Sequence, residues 1–542
     1  MNYKHFGAML DMSRNGVMKV SEVKKFIVYL EKMGYNMLEL YTEDTYKIDG
    51  EPMFGYLRGA YTKEELKDLD KFAMEHGIEL VPCIQTLAHM GALMKVPQYQ
   101  HLFDIDDILL ADCEEVYELL DKVFKQISEC FTSRLINIGM DEAHMLGLGK
   151  YLQLHGFQDR FEVLYRHLQK VLEIAGKYGF KCHMWSDMFF RLANDGLYYP
   201  EHNDRIELRD DITAKLPPEI ELTFWGYYHD DFDKYSQMMD AHKRMEREIW
   251  FAGGAWCWDG YGPQNFFSLG TMLPAMRSCI QNNIENVFIT LWGDDGAECS
   301  FYTTLPALYA TRKFADGIED MDEIKRGFKE TLGFDFDAFM TLDLPSITTK
   351  NGVLNANFNS VLPNLAITPI LTYCDVFLGQ YDYGLAHLDY LDFADFAKQI
   401  GKAKEGMGEL KYVFNYMEKL CDFLSVKAYL GIEAREAYSK KDKKALKQIV
   451  KKLQLAIKKL DLFVESYKYR WFKENKPFGF EVLDIRLGGV KARLITCKER
   501  LTAYLAGKLD TIAELDEPIL TLAHYDDLWH HVYTDTVTMN RF

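Results

Sequence analysis

The sequence predicts a (β/α)8 TIM barrel over residues 1–335, followed by a mainly α-helical domain over residues 336–542. Short apolar runs alternate with helical stretches in the first part, which is typical of a parallel sheet covered by helices. Eight such units in about 300 residues fit a closed barrel better than an open sheet. After residue 335 the alternation stops and longer helical patterns follow.

The eight predicted strands are short, apolar and rich in β-formers: 5–10, 36–41, 78–84, 134–139, 181–185, 220–226, 249–256 and 286–292. Amphipathic stretches lie between them, such as SEVKKFIVYLEKMG and TKEELKDLDKFAMEHG. Ser21 and Thr62 are the predicted N-caps of these two helices, and Gly34 and Gly77 are the predicted stops.

In the second part of the chain, apolar residues recur every three or four positions, and this pattern predicts long helices over residues 395–475. The basic run KKDKKALK is interpreted as a solvated connection between two of them. The segment 471–489 contains Gly, Pro and polar residues, so we expect it to be irregular. Loops that interrupt a scaffold often carry function. We therefore expect this segment to pack at the barrel mouth, from its own chain or a dimer mate, against the alternative of a plain inter-helix loop.

The composition and charge of the chain disfavour several classes of function. The formal net charge of −19 disfavours a general nucleic-acid binder, because such a field repels phosphate backbones. We expect no membrane span, since no run approaches about 18 apolar residues. The first residues lack a stretch resembling a signal peptide, and the ten cysteines are scattered singly without CxxC pairs. Reduced thiols and a cytoplasmic location are therefore expected.

In an eight-stranded barrel the active site lies at the carboxyl ends of the strands. The fourth predicted strand runs into Asp141 and Glu142. Two adjacent carboxyls raise each other's proton affinity, which helps one of them to act as a general acid. Five of the eight tryptophans also fall at strand ends: Trp185, Trp225, Trp256, Trp258 and Trp292. Indole rings around a carboxylate pair suit a sugar, whose C–H faces lie on aromatic rings while its hydroxyls form hydrogen bonds.

Two other readings of this region are disfavoured. Residues 141–144 spell DEAH, but the phosphate-binding GxxxxGK[ST] loop of a helicase is missing from the sequence. A metal hydrolase using His89, Asp141 and His144 is a better rival, although neither HExxH nor an HxH after the first strand occurs. We expect no metal and no cofactor.

Several motifs, in order along the chain, resemble glycoside hydrolase family 20, the β-N-acetylhexosaminidases. They are GAMLDMSR at 7–14, YTKEEL at 61–66, the stretch from Val81-Pro82 to Ala88-His89, NIGMDE at 137–142 and WGD at 292–294. The resemblance covers about residues 3–330. NKP at 475–477 and DIR at 484–486 resemble a bacterial exo-hexosaminidase subgroup with a helical C-terminal domain, which is often dimeric.

The resemblance implies exo-acting, retaining hydrolysis of a terminal β-linked N-acetylhexosamine on an oligosaccharide, through an oxazolinium intermediate. This family departs from the two-carboxylate scheme. Glu142 is then the acid and later the base, and Asp141 holds the acetamido N–H. The other implied roles are hydroxyl binding by Arg14 and Asp294, a pocket wall of Trp185, Trp225 and Trp292, and orientation of the carboxylates by His89. Glu43 and Asp44 end the second strand and either extend this network or lie in a solvated loop.

The chain departs from the family pattern at two positions. Phe6 stands where the family usually has Arg, and strand 7 lacks the tyrosine that holds the acetamido oxygen; Cys257 is roughly at its position. Because side chains alternate along a strand, Tyr227 shares a face with Trp225 if the sixth strand continues that far. Tyr228 is the candidate if the strand ends at Gly226. The remaining donors are Tyr261 and the indoles Trp256 and Trp258.

Two competing functions remain at this stage. One is an ordinary two-carboxylate retaining β-glycosidase, and the other is a catalytically inactive carbohydrate-binding barrel. The sequence does not separate GlcNAc from GalNAc. We expect a homodimer on the resemblance alone.

Overall fold

Eight parallel strands form a closed barrel in the computed structural model, which describes residues 3–194, 196–198, 208–294, 296–347, 367–386 and 390–520. The strands are β1 (His5–Asp11), β2 (Met37–Thr42), β3 (Glu79–Ile84), β4 (Leu135–Asn137), β5 (Lys181–Trp185), β6 (Glu221–Trp225), β7 (Ile249–Gly254) and β8 (Asn286–Leu291). Each strand pairs with the next, and β8 closes on β1 with Leu291 opposite Leu10. The predicted barrel and its eight strands are confirmed.

Helices cover the outside of the barrel. They are Val20–Met33, Lys63–Glu75, Gly91–Met94, Glu114–Cys130, Lys150–His155, Arg160–Lys177, Asp187–Ala193, Asp210–Lys215, Phe232–Lys243, Asn265–Asn282 and Leu305–Ala315. Thr62 forms a reciprocal capping box with Glu65, and Gly34 ends the first helix with φ of 82°, so both predictions are confirmed. Gly77, with φ of 68°, follows the end of Lys63–Glu75 as expected.

Two local features differ from the sequence-based expectation. Ser21 is not an N-cap, because the first helix begins one residue earlier and Lys19 takes the cap position without a side-chain hydrogen bond. A short antiparallel hairpin, Phe103–Ile105 with Ile108–Leu109, lies between β3 and the next long helix. Its strands are too short to give a periodic pattern, so the sequence did not predict it.

The barrel interior is closed below the site by an aromatic stack. Trp250 lies between His5 and His183, with ring centroids 4.9 and 4.6 Å away, and donates its indole N–H to Glu221 at 2.7 Å. Since this indole is fully buried and its N–H is bonded to a neighbouring strand, Trp250 has a packing role.

The second part of the chain is helical, as predicted. Met321–Leu332 lies just before it, and its own helices are Phe336–Met340, Ile367–Tyr373, Asp382–Ala386, Phe393–Ala403, Lys411–Lys427, Leu430–Ser439, Lys443–Glu474, Phe480–Leu505 and Ala513–Asp516. Residues 440–442 of the run KKDKKALK are exposed and join Leu430–Ser439 to Lys443–Glu474, which confirms the interpretation for this part, whereas the rest of the run begins the second helix. The domain boundary at residue 335 stays a prediction. No helix among the described residues has both the length and the apolar character that a membrane crossing requires.

The segment 471–489 is mostly helical, so the expected irregularity is wrong except at residues 475–479. It does pack at the barrel mouth, and it does so within its own chain. The Asn15 side-chain amide, which follows β1, donates to the Gly479 carbonyl at 2.9 Å and to the Gly296 carbonyl at 3.1 Å. A Cβ built on Gly16 would lie 3.4 Å from the Trp471 ring. The C-terminal domain therefore supports the loops that follow β1 and β8.

Candidate active site

The residues after β4 turn back tightly, which brings Asp141 and Glu142 to the centre of the barrel mouth. Gly139, Met140 and Glu142 all have left-handed backbone conformations, with φ of 72°, 69° and 51°. A Cβ at Gly139 would lie 2.1 Å from the Gln85 side-chain oxygen, so only glycine fits there. Asp141 becomes buried, whereas the Glu142 side chain remains 39% exposed.

Asp141 is held by two fixed donors from the loop after β3. Gln85 Nε2 donates to Asp141 Oδ1 at 2.8 Å, and His89 Nε2 lies 3.1 Å from Oδ2. Burial opposes the charge on Asp141, but His89, the Gln85 hydrogen bond and Arg14 outweigh it and lower the pKa of this carboxyl. Burial likewise opposes a charged His89, and Asp141 outweighs it, raising the pKa of the imidazole to about 9. The two residues form an ion pair at neutral pH.

Arg14 forms the opposite wall together with the loop after β8. Its Nη1 lies 2.9 Å from Asp294 Oδ1 and 3.3 Å from Asp11 Oδ2. The guanidinium also lies over the Trp292 ring, 4.6 Å from its centroid. This places a cation, an exposed carboxylate and an indole face side by side, the combination that the hydroxyls and C–H face of a sugar require.

Glu43 connects this wall to the carboxylate pair, and Asp44 does not. Glu43 Oε1 is 3.9 Å from Arg14 Nε and accepts the Tyr41 hydroxyl at 3.1 Å; Gln85 in turn donates to that hydroxyl at 3.2 Å. Burial raises the pKa of Glu43 to about 7, although Arg14 opposes the shift. Asp44 instead pairs with Arg58 at 3.1 Å. The predicted extension of the network is therefore present for Glu43 alone.

The predicted aromatic residues meet around the carboxylates. Trp185 and Trp292 have centroids 5.9 Å apart, and Tyr227 stacks on Trp225 at 5.5 Å. Three further rings continue the wall: Tyr228 at 4.9 Å from Tyr227, Trp256 at 5.2 Å from Tyr228, and Trp258 at 4.1 Å from Trp256.

Tyr227 and Tyr228 are two phenols on the side of Glu142 and Asp294. Burial first, then nearby charges that include Asp294 and Glu142, raise the pKa of both phenols. β6 ends at Trp225, so strand alternation does not place Tyr227, yet its ring still stacks on Trp225. Tyr227 is buried and Tyr228 is 41% exposed.

Three of the alternative acetamido ligands are engaged elsewhere. The Cys257 thiol donates to the Trp292 carbonyl at 3.5 Å. The Trp256 indole N–H donates to the Tyr227 carbonyl at 2.8 Å, so it is not the predicted donor. Tyr261 is also wrong as a candidate, because its hydroxyl lies 2.5 Å from that of Tyr373 in the C-terminal domain.

The possible metal ligands in the structure differ from those that the sequence suggested. His89, Asp141 and Glu142 each offer one ligand atom, and these atoms lie within 4.8 Å of one another. His144, named in the rival hypothesis, is exposed and outside this group. The same His89 nitrogen, Nε2, lies 3.1 Å from Asp141 Oδ2, so a cation bound to this group would have to replace that contact. That the site needs no metal stays a prediction.

Among the residues of this site that sequence reasoning missed are Gln85, Asp187 and Arg191. Gln85 directly follows β3, so a search for polar residues at strand ends would have found it. Asp187 is buried two residues beyond β5, and its Oδ2 accepts the Glu142 backbone N–H at 3.1 Å. Arg191 is one helical turn further and lies 3.6 Å from Glu142 Oε1.

Comparison with known proteins gives two matches to sequence profiles of one family. The profile of the glycosyl hydrolase family 20 catalytic domain matches residues 3–208. The profile of the glycoside hydrolase 20C C-terminal domain matches residues 337–533. Together the two matches cover more than half of the chain.

Individual relatives are distant. Hexosaminidase D of Bos taurus is 21% identical over 277 residues, which are 49% of this chain and 74% of the relative. Hexosaminidase D of Homo sapiens is 26% identical over 43% of this chain and 48% of its own length. The chain thus spans about three quarters of the bovine relative and about half of the human one.

Two solved structures align with this chain at low sequence identity. An exo β-N-acetylglucosaminidase of Vibrio harveyi aligns with a TM-score of 0.47 and 15% identity, over 63% of this chain and 58% of that one. A chitobiase of Flavobacterium johnsoniae aligns with a TM-score of 0.47 and 16% identity, over 83% of this chain and 75% of that one.

Proposed function

Because this chain belongs to glycoside hydrolase family 20, the family of β-N-acetylhexosaminidases, we propose that it is an exo-acting enzyme that releases terminal β-linked GlcNAc or GalNAc from oligosaccharides with retention of configuration. The proposed mechanism is substrate-assisted. The acetamido carbonyl oxygen attacks the anomeric carbon, Glu142 gives its proton to the departing oxygen, and an oxazolinium ion forms. Glu142 then removes a proton from the water that opens this ring.

The observation that carries the mechanism is the environment of Asp141. Both of its oxygens already accept hydrogen bonds from fixed side chains, and the carboxyl is buried and ionised. Such a group is held too firmly to attack an anomeric carbon, but each oxygen keeps a second lone pair for the acetamido N–H. The negative charge stabilises the positive charge that develops on that nitrogen. Glu142, less buried on the same loop, is free to exchange a proton with the leaving group or water.

The roles of the surrounding residues follow from their positions. Arg14 and Asp294 would bind the ring hydroxyls, and the indoles of Trp185, Trp225 and Trp292 would wall the acetamido pocket. His89 would keep the carboxylates oriented. The contact to the acetamido oxygen is assigned to a phenol of the β6 loop, Tyr227 or Tyr228, because the strand-7 thiol is engaged with the backbone.

The test compares initial rates on aryl β-GlcNAc, aryl β-GalNAc and aryl β-glucoside at equal enzyme concentration. We expect turnover of one or both 2-acetamido substrates and almost none of the glucoside. Comparable rates on the glucoside would favour an ordinary two-carboxylate glycosidase, and no turnover of any substrate would favour an inactive binding barrel.

We also propose that the enzyme works in the cytoplasm as a homodimer. All ten cysteines are free thiols, which supports a reducing compartment. Support for a dimer comes from large apolar side chains exposed on the C-terminal helices, among them Tyr469 at 61% and Ile485 at 74%. Light scattering on the purified protein, with Ile485→Asp as a disrupting variant, tests the dimer.

A further inference from the structure

Two buried or half-buried charges beside Glu142 have no part in the proposed mechanism. Asp187 and Arg191 are four residues apart on helix Asp187–Ala193, so they lie on one face of it. Asp187 Oδ2 accepts both the Glu142 backbone N–H at 3.1 Å and Arg191 Nε–H at 3.0 Å. The other end of the guanidinium, Nη2, lies 3.6 Å from Glu142 Oε1. Arg191 therefore stands between two carboxyl groups.

Both residues are fixed in place. Asp187 supports the left-handed backbone of Glu142, whose φ is 51°. Arg191 donates to the Gly196 carbonyl at 3.2 Å and lies over the Tyr198 ring at 5.7 Å. The distance between Arg191 and the Glu142 carboxyl is thus set by the fold of the loop after β5.

The charges of this pair act on Glu142 in opposite directions. A nearby cation favours the ionised carboxylate, whereas a nearby anion favours the protonated acid. Burial, followed by the charge of Asp141, raises the pKa of Asp187 to about 7 in spite of Arg191. Above neutral pH, in the range of the alkaline limb, Asp187 is therefore ionised and its charge opposes that of Arg191.

Several other groups also face Glu142 and must stay constant in any test. These are Asp141 and His144 of its own loop, His89 of the β3 loop, and the phenols Tyr227 and Tyr228 of the β6 loop. Among the ion pairs of the described residues, the Glu142 carboxyl has two partners, Arg191 at 3.6 Å and His89 at 3.8 Å.

We propose that Asp187 and Arg191 are a positioning pair that sets the pH range over which Glu142 holds its catalytic proton: Arg191 orients the Glu142 carboxyl, and Asp187 offsets the charge of Arg191 so that the acid stays protonated. The inference rests on the proposed role of Glu142 as general acid. It deepens that role, because it explains how an acid next to a guanidinium keeps its proton.

The test is the alkaline limb of the kcat/KM profile on phenyl β-GlcNAc, whose leaving group needs a proton. Asp187→Asn keeps a hydrogen-bond acceptor but removes the anion, so we expect the limb to move to lower pH by about one unit. Arg191→Gln removes the cation, so the limb should move to higher pH by a similar amount. The double variant should return close to the wild-type position, and Arg191→Lys should retain it.

Controls separate this pair from a general structural effect. Arg209→Gln removes a cation whose contacts are with Asp159 and Asp211, away from Glu142, and should leave the limb in place. On a dinitrophenyl β-GlcNAc, whose phenol leaves without a proton, the fall of kcat/KM at high pH should be small in every variant. Limbs that stay at the wild-type pH while kcat falls, or that move in the same direction in both single variants, would overturn the proposal.

The outcome is distinguishable from a failure of the proposed function. If the wild type does not hydrolyse 2-acetamido substrates, the proposed function is wrong. If Glu142→Gln loses no more activity on the phenyl glycoside than on the dinitrophenyl glycoside, the general-acid assignment is wrong. If Asp187→Asn does not fold, the comparison of Arg191→Gln with Arg191→Lys still tests the proposal. Loss of the cation in Arg191→Gln must move the alkaline limb to higher pH, and Arg191→Lys, which keeps the cation, must leave it in place.

Discussion

Arg486 of helix Phe480–Leu505 lies 3.3 Å from Glu298, in the loop that follows β8. The Glu298 carboxylate is buried and also accepts the Tyr373 hydroxyl at 2.6 Å. Arg486 also lies 3.2 Å from a Cβ built on Gly296, two residues after Asp294. The C-terminal domain thus holds the loop that presents Asp294 to Arg14.

Arg486→Ala should weaken substrate binding more than turnover. Loss of the guanidinium loosens the β8 loop and the Arg14–Asp294 pair, so we expect KM for aryl β-GlcNAc to rise about five- to tenfold with a smaller change in kcat. Steady-state kinetics measure this split. Lys491→Ala, which removes an exposed pair with Asp461, should leave both constants near wild type, and Arg486→Lys should restore part of the binding. A fall in kcat at constant KM would argue against a binding role for the loop.

Glu142→Gln should abolish activity selectively, according to the leaving group. General acid catalysis contributes roughly 10²–10⁴ in rate, and a phenol of low pKa does not need the proton. Hydrolysis of an oligosaccharide should therefore nearly stop while a dinitrophenyl glycoside retains much of its rate of glycosidic cleavage. Pre-steady-state release of the phenol checks this. Equal losses on both substrates would contradict the acid role.

Asp141→Asn should slow the step in which the acetamido group attacks. Without the anion, the charge on the acetamido nitrogen is less stabilised, so kcat falls on all 2-acetamido substrates. A thiazoline that mimics the cyclised intermediate should inhibit the wild type far more strongly than GlcNAc and lose this advantage in the variant. No preference for the thiazoline would remove the substrate-assisted mechanism. Incubation with EDTA should leave activity unchanged, and recovery on adding zinc after a loss would favour the metal reading.

The ion pair of His89 with Asp141 predicts a pH-dependent stability. The folded pKa of His89, about 9, lies above its unfolded value of about 6.5, so its contribution is complete below pH 6.5 and is lost as pH rises through 9. His89→Gln should therefore lower the melting temperature clearly at pH 6 and much less at pH 9.5. Scanning calorimetry at both pH values measures the gap. A gap that grows with pH would contradict the charged state of His89.

The sequence predicts much of this site, because strand ends in a barrel converge by geometry alone. Asp141, Glu142, Arg14 and Asp294 needed only the strand positions and the motifs. What it missed depends on contacts between distant segments. The Tyr261 hydroxyl bonds to a residue 112 positions away, and no local pattern encodes this partner.

The two glycines near the end of segment 471–489 explain the wrong expectation there. Gly488 and Gly489 suggested a loop, but a Cβ at either would meet nothing within 4 Å, so they lie on an open face of helix Phe480–Leu505. Each glycine costs about 1 kcal/mol of helix propensity. Burial of the neighbouring Leu487 and Val490 against the rest of the domain outweighs it.

The missing strand-7 tyrosine leads to the last prediction. The acetamido oxygen must be held in line with the anomeric carbon, at about 3–3.5 Å, and a hydroxyl donor both aims it and limits its rotation. With the Cys257 thiol and the Trp256 indole engaged by backbone carbonyls, the phenols of Tyr227 and Tyr228 are the hydroxyl donors that face Glu142 and Asp294. Removing one donor at a developing charge costs about 2.7–4 kcal/mol, so the correct Tyr→Phe change should lower kcat by a hundredfold or more with little change in binding.

Kinetics of Tyr227→Phe and Tyr228→Phe on aryl β-GlcNAc decide between the two phenols. Tyr261→Phe is the matched control, because that hydroxyl is bonded to Tyr373 and should leave kcat near the wild-type value. Each variant keeps its aromatic ring, so the packing on Trp225 and Trp256 is preserved and a loss reports the hydroxyl itself. If both variants turn over normally, the β6 loop does not hold the acetamido group. In that case the contact must come from the indole N–H of Trp258, the remaining donor of the sequence-based set, and Trp258→Phe should then produce the loss.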